Sequence, residues 1–316
     1  MRILRRWYGH IALLIANIIF GLNMPVSRSL IPDELAPLTL NFFRIGGACL
    51  LFWTASLFVK KSKASFKDLI QLFFASVLGI FINQIAFIEG LSTTSTVTAS
   101  LLITLLPVFT MILSFLILRE PLSWMKTMGV IIGASGALLL ILSNAHGHGS
   151  SSIKGILLIL LSSVCYALYL TLFKKLIAKF HPVHLMKWMF LFSLIISIPF
   201  CYQSLINTPF QQLTTHTLWR TAYVVFFATF IAYLLIPVGQ RTIRPTTLSM
   251  YNYLQPVIAS GVAIFIGMDT FGYENIISAV LVFAGVYVVT QSKTKIQVET
   301  EKRRKNIARI RGTKEE

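Results

Sequence analysis

Two stretches of this chain repeat each other at a fixed separation of 149 positions. Gly90, Thr93, Thr98, Ser100, Leu105, Pro107 and Val108 match Gly239, Thr242, Thr247, Ser249, Leu254, Pro256 and Val257, and no gap is needed. The register persists at Glu120 with Asp269 and at Gly136 with Gly285. Near the start of each copy, Gly9/Gly155, Phe20/Tyr166 and Leu22/Leu168 share an offset of 146. Pro37-Leu38 and Pro182-Val183 then open the second apolar segment of each half. A chain assembled twice from one unit buries the same kind of face twice, so its halves are related by pseudo-symmetry. Because the repeated stretches are apolar, the pattern points to a duplicated membrane bundle of the kind secondary carriers use.

Composition fixes the solvent. Hydrophobic residues make up 55% of the chain and charged residues only 12%, about half the usual charge content of roughly 25% in soluble domains. Mean hydropathy is +0.75. About 20 apolar residues span ~30 Å of hydrocarbon at ~1.5 Å per residue. Segments of that length are predicted over 8–28, 36–59, 68–89, 94–118, 124–143, 153–173, 183–202, 218–238, 246–267 and 273–291. They are too long and too uniformly apolar for barrel strands, so the expected fold class is an all-α integral membrane protein with ten transmembrane helices. Five segments fall in 8–143 and five in 153–291, with 144–152 as a linker. An odd number per copy makes the second copy enter the membrane from the other side, giving two inverted five-helix repeats around a central cavity.

The net charge of +17 is a topology signal. With Met1 placed in the cytoplasm, 24 Lys and Arg fall on the inner side and three, Arg28, Lys154 and Arg220, fall outside. Such an imbalance places both termini in the cytoplasm. The basic N-terminus 1–7 and the basic tail 292–316 then face the inner surface of a cytoplasmic membrane, and Lys302-Arg303-Arg304-Lys305 suits anionic headgroups. The partners expected are a lipid bilayer and a small-molecule substrate, not nucleic acid. The first segment lacks a small-x-small cleavage site and reads as a retained helix. Cys49, Cys165 and Cys201 lie within apolar segments, without pairing or metal-ligand spacing. The loop His146-Gly147-His148-Gly149 reads as a solvated glycine-rich connection. No cofactor or metal is expected.

At Leu105-Leu106-Pro107-Val108-Phe109, Leu118-Arg119-Glu120-Pro121-Leu122 and Gly129-Val130-Ile131-Ile132-Gly133-Ala134-Ser135-Gly136 the chain resembles the EamA-type drug/metabolite transporters. The second copy repeats the likeness more loosely, at Tyr253-Leu254-Gln255-Pro256-Val257, Gly267-Met268-Asp269 and Gly285-Val286. Two EamA repeats would cover nearly all of 8–291. The family usually has Glu where Asp269 stands. The resemblance implies ten helices around a central cavity, alternating access, and export or uptake of small metabolites such as amino acids. It also implies an Arg at the position of Arg44, which first-copy repeats commonly carry.

Candidate site residues follow from polarity inside apolar segments, where an unpartnered group is costly. Arg44 is the one basic residue well inside a segment. Two readings stand for it: a bidentate clamp for a substrate carboxylate or phosphate, or a structural partner to another polar group. Glu89 ends the third segment, either as a proton- or ion-coupling carboxylate or as a solvated acid at the rim. Asn17 with Phe20 and Met24, Asn83 and Gln84 with Phe87, Tyr166 with Tyr169, Tyr233, and Asn252, Tyr253 and Gln255 mark inward faces of an apolar pocket with sparse polar anchors. Pro107 and Pro256 are expected mid-helix, as paired hinges or cavity-lining kinks. Gly129, Gly133 and Gly136 give one helix a small-residue face for contact within the chain or across a homodimer. Glu120 beside Arg119 reads as a structural cap or local ion pair. No HExxH, catalytic triad pattern, paired intramembrane aspartates or Walker loop is present, so neither an enzyme nor an ATP-driven pump is expected, and the alternative to a permease is a membrane-embedded enzyme or receptor on the same helical scaffold.

Overall fold

The computed structural model of the protein describes residues 2–31, 34–60, 62, 64–94, 99, 102–143, 152–265, 273–292 and 300. Among these the regular structure is helical throughout. The helices are α1 (Arg2–Leu30), α2 (Pro37–Ser56), α3 (Phe66–Ser92), α4 (Leu106–Leu118) and α5 (Trp124–Ser143), then α6 (Ile153–Leu172), α7 (Pro182–Ile206), α8 (Thr215–Gln240), α9 (245–265) and α10 (Tyr273–Gln291). A short helix, Lys174–Lys179, and a 3-10 turn, Phe210–Gln212, occupy two connections. By length and composition α1, α2, α3, α6, α7 and α8 can each cross a membrane, while α4, α5 and α10 carry shorter apolar stretches. His146, His148, Asp269 and the Lys302–Lys305 run lie outside the described residues.

Helix starts follow local chemistry. Pro37 and Pro182 open α2 and α7, where the missing N–H has no intrahelical partner to lose. Ser65 and Asp68 form a capping box on α3: the Asp68 N–H donates to Ser65 Oγ at 3.2 Å and the Ser65 N–H to the Asp68 carboxylate at 3.0 Å. Thr214 caps α8 the same way, its Oγ1 accepting from the Thr217 N–H at 3.1 Å. Ser65 and Thr214 are 149 positions apart, as are Asp68 and Thr217.

The same offset governs two departures from regular helix. The π-helical turns Val77–Ile82 in α3 and Phe226–Ile231 in α8 correspond residue for residue. In α8 the Thr229 hydroxyl donates to the Val224 carbonyl at 2.9 Å and satisfies a group inside the widened turn. The second departure corrects an expectation. Neither 94–118 nor 246–267 forms one continuous helix. A turn at Thr104 and Leu105 precedes α4, and a 3-10 turn, Tyr251–Tyr253, interrupts α9. Pro107 is the second residue of α4, and Pro256 is the third of the segment Leu254–Phe265. Both therefore sit in a first helical turn, where proline is tolerated, instead of kinking a continuous helix. The breaks are bonded across the two copies. The Tyr253 hydroxyl donates to the Thr104 carbonyl at 3.0 Å, and these residues are equivalents at the 149 offset.

Close packing uses the glycines at three places. Gly133 and Gly285 bring α5 against α10: a Cβ added to Gly285 would lie 2.6 Å from the Gly133 Cα. Gly129 and Gly136 meet α10 as well, so the small-residue face of α5 is occupied within the chain. Gly9 on α1 lies against Thr242, and Gly155 on α6 against Thr93, the same contact made once by each copy. Phe52 and Phe190 stack at 5.3 Å between α2 and α7. Outward faces carry apolar side chains such as Leu50, Phe58, Leu116 and Val280, suited to lipid. The three cysteines are free and buried.

Ionic groups collect at the two ends. At the Lys/Arg-rich end Lys179 Nζ reaches both Asp68 oxygens at 2.6 and 2.7 Å. Glu120 takes Lys126 of its own copy at 2.9 Å and Lys174 of the other at 3.3 Å instead of the adjacent Arg119, and the second pair joins the two copies. Burial pushes the Glu120 carboxyl up, but the two ammonium groups outweigh it and hold the group below its ordinary value. At the opposite end Arg220 Nη2 meets the Glu34 oxygens at 2.5 and 2.7 Å, and the Thr217 hydroxyl donates to Glu34 at 2.7 Å.

Candidate binding cavity

Between the two copies lies a cavity of about 140 Å³. The first copy contributes Phe20, Asn23 and Ser27 from α1, Arg44 from α2, and Asn83, Gln84, Phe87 and Leu91 from α3, with Ile103 and Leu106 at the broken helix. The second contributes Ser162, Ser163 and Tyr166 from α6, Tyr233 and Ile236 from α8, and Asn252 and Gln255 from α9. On α1 and α3 the lining comes from the half of each helix farther from the basic loops, and on α6 from the middle of the helix. The π-helical turn of α3 ends one residue before Asn83, and that of α8 two before Tyr233. A wider turn rotates the residues that follow, which turns these polar side chains toward the axis.

Nine residues singled out by sequence line this space: Arg44, Asn83, Gln84, Tyr166, Tyr233, Asn252 and Gln255, with Phe20 and Phe87. Three others stand behind the wall. Asn17 accepts a 2.9 Å hydrogen bond from Gln255 Nε2, which ties α1 to α9. Tyr169 is buried beside Gly79, and its hydroxyl donates to Gln240 at 3.2 Å. Tyr253 packs on Gly133 and uses its hydroxyl on Thr104. Glu89 does not line the cavity and does not pair with Arg44. Sequence reading passed over Asn23, Ser27, Ser162 and Ser163 as lining groups. Helical spacing was the available signal, since Asn23 and Ser27 follow Phe20 by three and seven positions and Ser162 precedes Tyr166 by four.

Many of the polar groups are already committed. Asn83 Nδ2 donates to the Ser162 carbonyl and hydroxyl at 3.0 Å each, and the Ser162 hydroxyl donates back to the Asn83 carbonyl at 2.9 Å. The Ser27 hydroxyl donates to Asn23 at 3.2 Å. Arg44 is 5% exposed and spends Nε on the Thr229 hydroxyl at 3.1 Å. Gln84 is 2% exposed; it lies near the Tyr233 hydroxyl, yet neither amide atom has a partner in hydrogen-bond geometry. Phe20 and Phe190 set their edges against Tyr233 at 6.1 and 5.4 Å and fix its ring. The result is an apolar chamber with a few unspent donors and acceptors, the composition of a small-molecule site. Among the described residues no cluster of His, Cys, Asp and Glu is arranged to hold a metal ion.

Residues 7–142 and 153–291 each match the model of the EamA-like transporter family. An uncharacterized transporter of Archaeoglobus fulgidus is 24% identical, covering 82% of this chain and 90% of its own length. The uncharacterized transporter YyaM of Bacillus subtilis is 28% identical over 72% of this chain and 75% of its own. The WAT1-related protein At1g43650 of Arabidopsis thaliana is 23% identical over 91% and 92%. A solved crystal structure aligns with a TM-score of 0.73 at 16% identity, covering 92% of this chain and 97% of its own, a likeness of fold. With its apolar helices, the chain is a multi-pass membrane protein and a membrane transporter.

Proposed function

Because the chain belongs to the EamA-like transporter family, we propose that it is a secondary-active permease moving a small metabolite of amino-acid size by alternating access. In this reading ten helices span a cytoplasmic membrane as two inverted five-helix repeats, with both termini in the cytoplasm. The observation that carries it is the cavity itself, which both copies build at their interface. Supporting it, the π turns and broken helices sit at equivalent places in the two copies, so each copy can move as a unit about the same points. Irregular backbone at membrane depth is tolerated where it borders protein or a water-filled space. Without an ATP motif the driving force is an ion gradient or the substrate's own gradient, and export is the direction the family resemblance suggests.

Counterflow in proteoliposomes tests this. Vesicles holding the purified chain are loaded with one member of an unlabelled amino-acid and metabolite panel and given its labelled form outside. Saturable, transient accumulation of at least one compound is expected. Folded protein that gives no counterflow across the panel would overturn the permease reading.

A further inference from the structure

We infer that the substrate of this cavity is an organic monoanion whose carboxylate supplies the counter-charge that Arg44 lacks. The inference rests on the permease reading and names the class of compound carried. Among the described residues that line the cavity, Arg44 is the one that carries a charge. It is 95% removed from solvent, and the bond it makes, from Nε to Thr229, is to a neutral hydroxyl. Among the described residues its terminal nitrogens make no hydrogen bond and no carboxylate pairs with it. The acids that are placed in ion pairs are spent elsewhere: Glu34 on Arg220, Asp68 on Lys179, and Glu120 on two lysines, all at the ends of the bundle. A guanidinium in a low-dielectric interior demands a partner, and its planar fork matches a carboxylate.

Gln84 points to the same ligand independently. Its amide lines the cavity beside the Tyr233 hydroxyl with neither polar atom in hydrogen-bond geometry, while Asn83 and Gln255 have found partners in neighbouring helices and Asn23 in Ser27 of its own helix. A buried amide left open is costly unless something fills it. A carboxylate held by the Arg44 fork can accept from the Gln84 NH2, which leaves the Gln84 oxygen for a donor elsewhere on the same compound. A cation would have to share the chamber with Arg44 and find no carboxylate there.

Charge balance then shapes the transport cycle. The loaded carrier moves with Arg44 neutralised, whereas the empty carrier must move with a bare buried charge. Exchange of one anion for another is therefore faster than net release.

The test uses the full chain and matched probes that differ in charge alone. Phenylacetate, phenylacetamide and phenethylamine form one set; butyrate, butyramide and butylamine form another. Calorimetric titration of the purified protein is expected to show, in at least one set, the acid binding about tenfold or more tighter than its amide, with no binding of the amine. Arg44→Gln should erase that preference. Arg44→Lys, which keeps the charge and loses the fork, should retain it more weakly and serves as the control for folding. In proteoliposomes preloaded with the labelled acid, efflux against unlabelled acid should exceed efflux into buffer, and Arg44→Gln should bring the two together. The inference is overturned if no acid binds better than its amide in either set, or if Arg44→Gln keeps the preference. Failure of the permease reading looks different: the acid binds with its preference intact and no flux accompanies it.

Discussion

Single polar side chains in this bundle divide into those that hold helices together and those left open, and burial alone does not separate them. Asn83 and Gln84 are neighbours in sequence, yet Asn83 closes a reciprocal bond with Ser162 and Gln84 faces the cavity beside Tyr233 with neither atom in hydrogen-bond geometry. A helical step of about 100° sends adjacent residues to different neighbours. At the bundle's end the same economy appears in Glu34. The Thr217 hydroxyl and the Arg220 guanidinium hold its carboxyl below the ordinary value of 4.5. A group whose folded pKa is depressed adds stability above its unfolded pKa and loses it as pH falls through the folded value. Glu34→Gln should therefore lower the melting temperature of the purified protein at neutral pH. The gap from wild type should shrink as pH drops below about 4.5. A gap that stayed constant from pH 7 to pH 3 would show that the ionised form is not what Arg220 and Thr217 stabilise.

Helices, the next scale up, carry the duplicated irregularities. If Pro107 opens α4 instead of bending a longer helix, Pro107→Ala should change stability by no more than about 1 kcal/mol. Tyr253→Phe removes the hydroxyl that satisfies the Thr104 carbonyl and should cost about 1–3 kcal/mol. Thermal unfolding in detergent compares the two, and a larger loss from Pro107→Ala would argue for a kinked continuous helix. The apolar segments themselves were legible in sequence, because burial in lipid demands runs of a set length, and the edges of α2, α6 and α7 fall within a few residues of expectation. The breaks were not. Thr104-Leu105 and Tyr251–Tyr253 are as compatible with helix as their surroundings, and hydropathy does not record which carbonyl bonds to which N–H. The π turns escaped for the same reason, since Val77–Ile82 is simply an apolar run. The site was half visible: polarity inside an apolar run marked Arg44, Gln84 and Gln255, but Tyr169 and Tyr253 carry the same signal and spend their hydroxyls inside the wall.

Across the whole molecule, the two copies are fastened at both ends by equivalent links of swapped charge. In one, Lys179, between α6 and α7, grips Asp68 at the start of α3. In the other, Glu34, between α1 and α2, grips Arg220 and Thr217 at the start of α8. Each link joins a loop of one copy to a long helix of the other, and each end of the cavity's helices passes through one of them. Lys179 is exposed and Glu34 partly so, and ion pairs that water reaches add little stability, about 0–1 kcal/mol, so these can open without great cost. Alternating access requires that the two ends separate in turn. In a background where Cys49, Cys165 and Cys201 are replaced by serine, Asp68→Cys with Lys179→Cys, or Glu34→Cys with Arg220→Cys, can be joined by a short thiol cross-linker. Either cross-link should stop counterflow in proteoliposomes, by about tenfold or more, if a disulfide-containing linker holds the end shut, and reduction of that linker should restore it. Full counterflow with one end joined would mean that this end stays closed throughout the cycle, and that substrate enters and leaves the cavity by another route.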